Sequence, residues 1–355
     1  MNELLSLYQK VYGMLEDEAS RDIYLNRLNG LISGDYRYIA NIVKAYLPGL
    51  QVLNGKTIED FQNLLPKDRK IVLYGAGAVG KELLPYWADD ERFIGFCSGT
   101  KEKQAHGYLG YPVMPPEELL ARRDLSVVIS TTRASDEILQ ILLEGGYPKE
   151  QIFEIGGYYR KEDRGQYFNP EFIRYEPEEV LVDAGSFDLS SALELKKYCK
   201  HVKKVYAFEP DPDNYRLCTW KKTRYDFSEA EIIPYGTWSE RKELRFCAVG
   251  AGYSNICDTG EISIPVMPID EAIHPGDKVT FIKMDVEGSE LESLKGAENT
   301  ILRDKPKLAI CIYHKPEDMV TIPLYIKELV PEYKLYVRHH SNSWAETVLY
   351  AVLPE

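Results

Sequence analysis

The sequence predicts an α/β protein made of two Rossmann-like domains behind an N-terminal helical arm. Three observations predict it. Short β-rich runs alternate with helical patterns twice over, first from Lys70 and again from Glu179. The run GAGAVG at 75–80 follows the first of these strands and opens a helix. The length, 355 residues, is also more than one core usually fills.

Residues 1–66 read as the helical arm. Ser20 is the expected N-cap of its second helix, Ile23, Leu25, Leu28, Leu31 and Ile32 give an apolar stripe, and Gly34 stops the run. Such a stripe must be buried, on the domains behind it or on a partner subunit, so a homo-oligomer is one expectation. Residues 67–157 form the first domain, with strands IVLY, FIGFC, LSVVIS and QIFEI. The turn-rich GYLGYPVMPPEELL lies between the second and third, and Pro85 is expected to interrupt the first helix early. Gly156, Gly157 and the polar stretch to Pro170 mark the boundary.

Residues 171–355 form the second domain, with strands EVLVDAG, KVYAFEP, EIIPYG, TFIKMDVEG, LAICIYH, YKLYVRH and ETVLYAVL. Inserted β-structure is expected from Glu243 to Pro268, and the last two strands form a hairpin across HSNSWA. Five parallel strands and a terminal antiparallel hairpin give the mixed seven-stranded sheet of class I, Rossmann-like methyltransferases.

Composition excludes several classes. The net charge of −13, from 43 basic and 56 acidic side chains, disfavours nucleic acid as a partner. No apolar run approaches a membrane span, and MNELLSLYQK does not read as a signal peptide. Six scattered cysteines without a C-x-x-C fit a reducing cytoplasm better than a zinc site.

The chemistry concentrates where strands end. In VLVDAGSFD, Asp183 stands at a strand end, Gly185 lets the backbone approach a ligand, and Ser186 and Asp188 follow in the turn. Ligands of open α/β sheets bind beyond such carboxyl ends. S-adenosylmethionine offers an ammonium and a sulfonium to a carboxylate and a carboxylate to backbone N–H groups. Glu209, before Pro210, ends the next strand about 20–25 residues on, the spacing of a ribose-binding acid.

VLVDAGSFD, VYAFEPDPDNY, IPYGTWSERKELRF, FIKMDVEGSELESLKGA and KPKLAICIYHKPEDM, in that order, resemble the FkbM family of methyltransferases over roughly residues 171–355. The resemblance implies a class I fold and methyl transfer from S-adenosylmethionine, usually to an oxygen of a sugar, glycan or secondary metabolite. By motif match it puts Asp183, Gly185 and Asp188 in the donor loop, Glu209 at the ribose, and Gly236, Trp238 and Ser239 near the adenine. Leu189 departs from the pattern, standing where many related loops have another glycine.

A hydroxyl acceptor must lose its proton as it attacks. Asp285 and Glu287 follow the strand FIKM and His314 follows LAICIY, which makes His314 the expected general base and Asp285 the residue orienting it or the substrate. Lys283, two positions before Asp285, shares its side of the strand and can pair with a carboxylate. His339 and His340 are expected at the same rim. Histidines and acids this far apart in sequence define no metal site, and Mg²⁺ held by Asp285 and Glu287 is the one metal-assisted alternative.

Gly75, Gly77 and Gly80 have the G-x-G-x-x-G spacing of a second nucleotide site. The segment resembles the nucleotide-binding N-terminal domains of bacterial sugar-modifying enzymes, which suggests a nucleotide-sugar ligand or a packing or dimer module. Cys97 and Ser98 stand where an NAD ribose would need an acid. An NAD(P)-dependent sugar oxidoreductase or epimerase is the rival function. Its short-chain form needs a Tyr-x-x-x-Lys pair, and none occurs. A non-catalytic nucleotide-binding protein is the other rival.

Overall fold

The computed structural model describes residues 2–35, 37–47, 58–88, 90–131, 134–155, 165–249, 253–256, 262–341 and 343–354. The chain divides into two compact units. One comprises Met1–Leu25, Asp163–His340 and Ala345–Glu355; the other comprises Asn26–Glu162 and Ser341–Trp344. This differs from a separate arm over 1–66, since the first 25 residues group with the C-terminal unit. The boundary expected at Gly156 and Gly157 lies outside the described residues. Among the described residues, no helix is long and apolar enough to cross a membrane.

The chain opens with helices α1 (Asn2–Met14), α2 (Glu18–Ser33), α3 (Arg37–Tyr46) and α4 (Ile58–Leu64). Asp17, and not Ser20, caps α2: its Oδ1 accepts the Ser20 N–H at 2.7 Å. Gly34 follows the helix end with φ +70°, as a helix stop requires.

The Asn26–Glu162 unit then adds β1 (Lys70–Tyr74), α5 (Ala78–Trp87), β2 (Phe93–Cys97), α6 (Lys101–His106), β3 (Val113–Met114), α7 (Pro116–Ala121), β4 (Leu125–Ile129), α8 (Ser135–Glu144) and β5 (Ile152–Glu154). Its five strands are parallel, in the order β3-β2-β1-β4-β5. β4 is buried along its whole length, as a central parallel strand covered on both faces should be. Two details depart from expectation. The turn-rich stretch holds the short strand β3, and Pro85 does not end α5, which continues to the buried Trp87 and closes with the Ala88 N–H on the Leu84 carbonyl at 2.8 Å.

The C-terminal unit continues with β6 (Glu179–Ala184), α9 (Ser190–Leu195), β7 (Val202–Phe208), α10 (Pro212–Arg224), β8 (Ala230–Ile233), β9 (Gly236–Thr237), β10 (Lys242–Val249), β11 (Tyr253–Ile256), β12 (Ile262–Met267) and β13 (Phe281–Met284). It ends with α11 (Glu290–Lys295), α12 (Glu298–Asp304), β14 (Lys307–Cys311), α13 (Asp318–Leu329), β15 (Lys334–His339) and β16 (Thr347–Val352). Seven strands form one mixed sheet in the order β15-β16-β14-β13-β6-β7-β8. The five from β14 to β8 are parallel, and β16 runs antiparallel to both of its neighbours. The expected insertion is present as a separate four-stranded sheet, β11-β10-β12-β9.

From β6 the chain moves outward to β7 and β8, then returns to β13 on the other side of β6. Strand order reverses there, so the loops after β6 and β13 lie side by side at the carboxyl edge. β6, β13 and β16 are buried throughout, while β15, last in the order, alternates buried and half-buried residues. The chain start covers this edge strand. The Glu16 N–H bonds the Leu335 carbonyl at 3.0 Å, Ser20 Oγ accepts the Val337 N–H at 2.9 Å, and Asp17 pairs with Arg338 at 2.6 Å. Tyr24 adds a hydrogen bond from its hydroxyl to the Met319 carbonyl at 3.0 Å.

Ser20→Ala should leave the Val337 N–H buried without an acceptor, at a cost of about 1–3 kcal/mol. Urea denaturation gives the stability, and hydrogen exchange should show the lost protection at Val337. An unchanged exchange rate there would rule out this role for the hydroxyl.

Candidate active site

The loop after β6 is shaped by three left-handed residues, Gly185 (φ +74°), Phe187 (+55°) and Leu189 (+67°). Only glycine fits the first of them, because a Cβ there would lie 1.9 Å from the Asp285 carbonyl oxygen. Leu189 explains the departure from the family pattern. The position does need the conformation glycine supplies, and the leucine accepts about 1–2 kcal/mol of backbone strain. Its side chain is fully buried in the core beneath the sheet, which offsets that strain.

Beneath the loop lies a buried ion pair. Lys283 Nζ is 3.1 Å from Asp183 Oδ1, with side chains 3% and 0% exposed, and it donates to the Gly185 carbonyl at 2.6 Å. Asp183 and Lys283 are register partners on β6 and β13, which makes the contact short and fixed. Burial pulls the Lys283 ammonium down, but the carboxylates of Asp183 and Asp285 hold it above its ordinary value. Lys283 was expected among the catalytic groups. The pairing with a carboxylate expected of it is made with Asp183. Ser186 Oγ donates to the other Asp183 oxygen at 3.0 Å.

Glu209, at the tip of β7, is 5% exposed. It accepts the Phe187 N–H on Oε2 at 2.8 Å and the Asp211 N–H on Oε1 at 2.9 Å. Burial pushes it up to about 7, against the pull of those two N–H groups and of the Asn214 side chain. Asp188 is tied off, with Oδ1 accepting the Ser190 N–H at 3.0 Å and Oδ2 meeting Lys221 Nζ at 2.5 Å. Burial raises it, but Lys221 and the Ser190 N–H hold it below the usual carboxylate range. Gly236 lies against Pro210, whose Cγ would be 3.6 Å from a Cβ at that glycine. Trp238 donates its N–H to the Met267 carbonyl at 3.0 Å, and Ser239 Oγ bonds Glu292 at 2.6 Å.

After β13, Glu287 (φ +52°) and Gly288 (φ +90°) make a tight turn into α11. It gathers Asp285, Glu287 and His314, each giving one atom to a group lying within 4.8 Å of one another. His314 Nε2 is 3.4 Å from Asp285 Oδ1 and 3.6 Å from Glu287 Oε2, while Nδ1 is 2.7 Å from Glu290 Oε1. Burial lowers the His314 proton affinity, but Glu290, Asp285 and Glu287 push it up to about 9. Burial raises Glu287 to about 7 against the opposing charge of His314.

Sequence reasoning missed four members of this site. Glu290, fully buried, orients His314 and accepts the Val286 N–H at 3.0 Å. Tyr167 and Tyr313 donate their hydroxyls to Asp285 at 2.9 and 3.2 Å. Gly296 lets its backbone approach Trp238, since a Cβ there would be 2.0 Å from the Trp238 carbonyl oxygen. Glu290 and Gly296 lie in the run DVEGSELESLKGA and Tyr313 directly precedes His314, so those three carried a signal; Tyr167 carried none. The rim role expected for His339 and His340 is corrected. His339 is 1% exposed and bonds Thr347 across the β15–β16 pair at 2.8 Å, and His340 Nε2 meets the Tyr350 hydroxyl at 2.7 Å.

In the other unit, the three glycines differ in role. A Cβ at Gly75 would be 2.5 Å from the Ser130 carbonyl oxygen and one at Gly80 2.2 Å from that of Gly75, whereas Gly77 at the start of α5 faces open space. The loop's own carbonyls are occupied, Ala76 by Lys103 Nζ and Gly77 by the Tyr108 hydroxyl at 3.0 Å.

Residues 183–340 match the family described as the Methyltransferase FkbM domain. This stretch of the C-terminal unit is thus similar to methyltransferase domains of the FkbM type. The chain is 32% identical over 133 residues to the hexuronic acid methyltransferase AglP of Haloferax volcanii, which covers 36% of this chain. The match spans about half, 53%, of that curated relative. Among solved structures, methyltransferase FkbM from Methylobacillus flagellatus KT is 21% identical with a TM-score of 0.49, covering 90% of this chain and 99% of its own. An rRNA methylase from Streptococcus thermophilus is 17% identical with a TM-score of 0.34, over 50% of this chain and 89% of its own.

Lys283→Met should leave the buried Asp183 carboxylate without its counter-charge, lowering stability by about 3–5 kcal/mol. Adding Asp183→Asn should restore much of the loss. Equal urea midpoints for wild type and the single variant would show that the pair contributes nothing.

Proposed function

We propose that the protein is an S-adenosylmethionine-dependent O-methyltransferase whose acceptor is a hydroxyl of a sugar, uronic acid or glycan. The observation that carries this reading is Glu209, which stands beside the glycine loop of Asp183 at the point where the strand order reverses. Its carboxylate is held in place by the Phe187 and Asp211 N–H groups and by Asn214, at the strand tip where an acid can accept the ribose hydroxyls of the donor. Asp183, Gly185, Ser186 and Asp188 then form the loop around the methionine part, and Pro210, Gly236, Trp238 and Ser239 flank the adenine. The turn that holds Asp285, Glu287 and His314 takes the acceptor side. A sulfonium loses its charge as the methyl moves, so positioning and exclusion of water supply much of the rate. The acceptor proton passes to the carboxylates of this cluster, of which Glu287 has a proton affinity near neutrality.

The resemblance to a hexuronic acid methyltransferase supports a sugar-acid acceptor. We read the five-stranded parallel sheet of the other unit as a Rossmann-like module. Cys97 is fully buried at the end of β2 and Ser98 follows, so no carboxylate stands where an NAD ribose needs one. That argues against the oxidoreductase alternative.

Calorimetric titration should detect one S-adenosylmethionine site, weakened at least about tenfold in Glu209→Ala, as loss of a hydrogen-bonded charge implies. Because the ribose hydroxyls favour the ionised form of Glu209, donor affinity should rise from pH 6 to pH 8 as the proton leaves, and Glu209→Gln should flatten the profile. Unchanged affinity in the alanine variant would remove Glu209 from the site. Transfer of labelled methyl to a panel of hexuronic acids, nucleotide sugars and glycans tests the acceptor class, and a panel wholly unlabelled would exclude it.

A further inference from the structure

The acceptor side gathers two carboxylates and a buried imidazole whose ring nitrogen is not hydrogen-bonded among the described residues. The His314 side chain is 8% exposed, its Nδ1 faces Glu290 at 2.7 Å, and its Nε2 has no hydrogen-bond partner among the described residues. That nitrogen is aimed between Asp285 Oδ1 at 3.4 Å and Glu287 Oε2 at 3.6 Å. Two carboxylates and an imidazole whose ligand atoms lie within 4.8 Å of one another are a donor set for a metal ion. We propose that Asp285, Glu287 and His314 bind a divalent first-row transition-metal ion.

Ligand atoms about 2.1 Å from a common ion, at tetrahedral or octahedral angles, stand about 3.0–3.4 Å apart. The two measured separations lie within a few tenths of an ångström of that spacing. The surroundings are those of a metal centre. A carboxylate on Nδ1 fixes the tautomer that leaves Nε2 as the ligand, and here Glu290 has that place. Tyr167 and Tyr313 bond the Asp285 oxygens and set that ligand's orientation. The imidazole selects the class of ion. Mg²⁺ prefers all-oxygen surroundings, whereas one nitrogen and two carboxylates with open positions suit Mn²⁺, Fe²⁺, Co²⁺ or Zn²⁺.

The open positions accept oxygens of the acceptor, a pair of neighbouring sugar hydroxyls or a hydroxyl and a carboxylate. The ion makes the bound hydroxyl more acidic. The oxygen forms its bond to the methyl carbon as the carbon–sulfur bond breaks, with that electron pair staying on sulfur. The hydroxyl proton passes to the Glu287 oxygen not used by the ion. This role rests on the donor reading above, but ion binding itself does not.

The test uses the full chain, stripped with a chelator and titrated without donor. Mn²⁺ uptake is followed by loss of the free-ion electron paramagnetic resonance signal, and Co²⁺ uptake by visible absorption. One ion per chain is expected. Asp285→Asn, Glu287→Gln and His314→Gln should each lower affinity at least about tenfold, and Glu290→Gln, which touches no ion, by about tenfold. Glu287 is 34% exposed, so Glu287→Gln keeps the fold, and urea midpoints check the others. No uptake by the wild-type chain, or uptake unchanged in Glu287→Gln and His314→Gln, would overturn the site. Because no donor is present, failure here is distinct from failure of the donor titration.

Discussion

The contact between Lys283 and Asp183 is the constraint on which the C-terminal unit depends. Two opposite charges removed from water on neighbouring central strands are tolerable only as a close pair, and the 3.1 Å separation supplies that. Because the partners lie in register across β6 and β13, the pair fixes the relative height of the two strands whose loops form the site. The same ammonium reaches the Gly185 carbonyl, so the turn above is held by the charge below it. A wholly apolar strand pair would pack as well but would not anchor the turn.

From that anchor the two halves of the site follow. Gly185 comes close enough to Asp285 that the loops after β6 and β13 share a wall, and no side chain fits between them. On one side the loop is tied to β7 through the Phe187 N–H and Glu209. On the other, the Glu287–Gly288 turn delivers two carboxylates to His314, with Glu290 behind the ring. Thr237 and Ser293 join the inserted sheet to α11 through a buried hydroxyl pair at 2.6 Å.

Much of the fold was legible because buried parallel strands announce themselves. VLVDA, VYAF, FIKM and LAIC are runs that only a sheet covered on both faces can hold, and their order gave the seven-stranded arrangement. The loop glycines and the acids at strand tips were legible for the same reason, since position along a strand predicts the edge at which a residue emerges. What was not legible depends on pairing across the sequence. For Lys283, strand alternation gives a side and not a partner, and Asp183, with which it pairs, lies 100 residues away. No sequence pattern shows the three carboxylates that close on the His314 ring. Tyr167 belongs to a stretch without periodicity, and its bond to Asp285 spans 118 positions. The division of the first helices was hidden likewise, because Ser20 resembles a cap until Val337 is placed beside it.

The cover over β15 has a consequence for the order in which the molecule can be made. Glu16, Asp17, Ser20 and Tyr24 leave the ribosome about 300 residues before Met319, Leu335, Val337 and Arg338 exist to receive them. The Asn26–Glu162 unit, continuous but for four late residues, can mature in the meantime, while the earliest segment waits unfinished. Closure of the larger unit is therefore a late, long-range event, with the entropy of joining distant stretches set against a handful of hydrogen bonds. A nascent chain stalled before its final strands would present α1 and the start of α2 with their apolar side uncovered, the kind of surface chaperones hold.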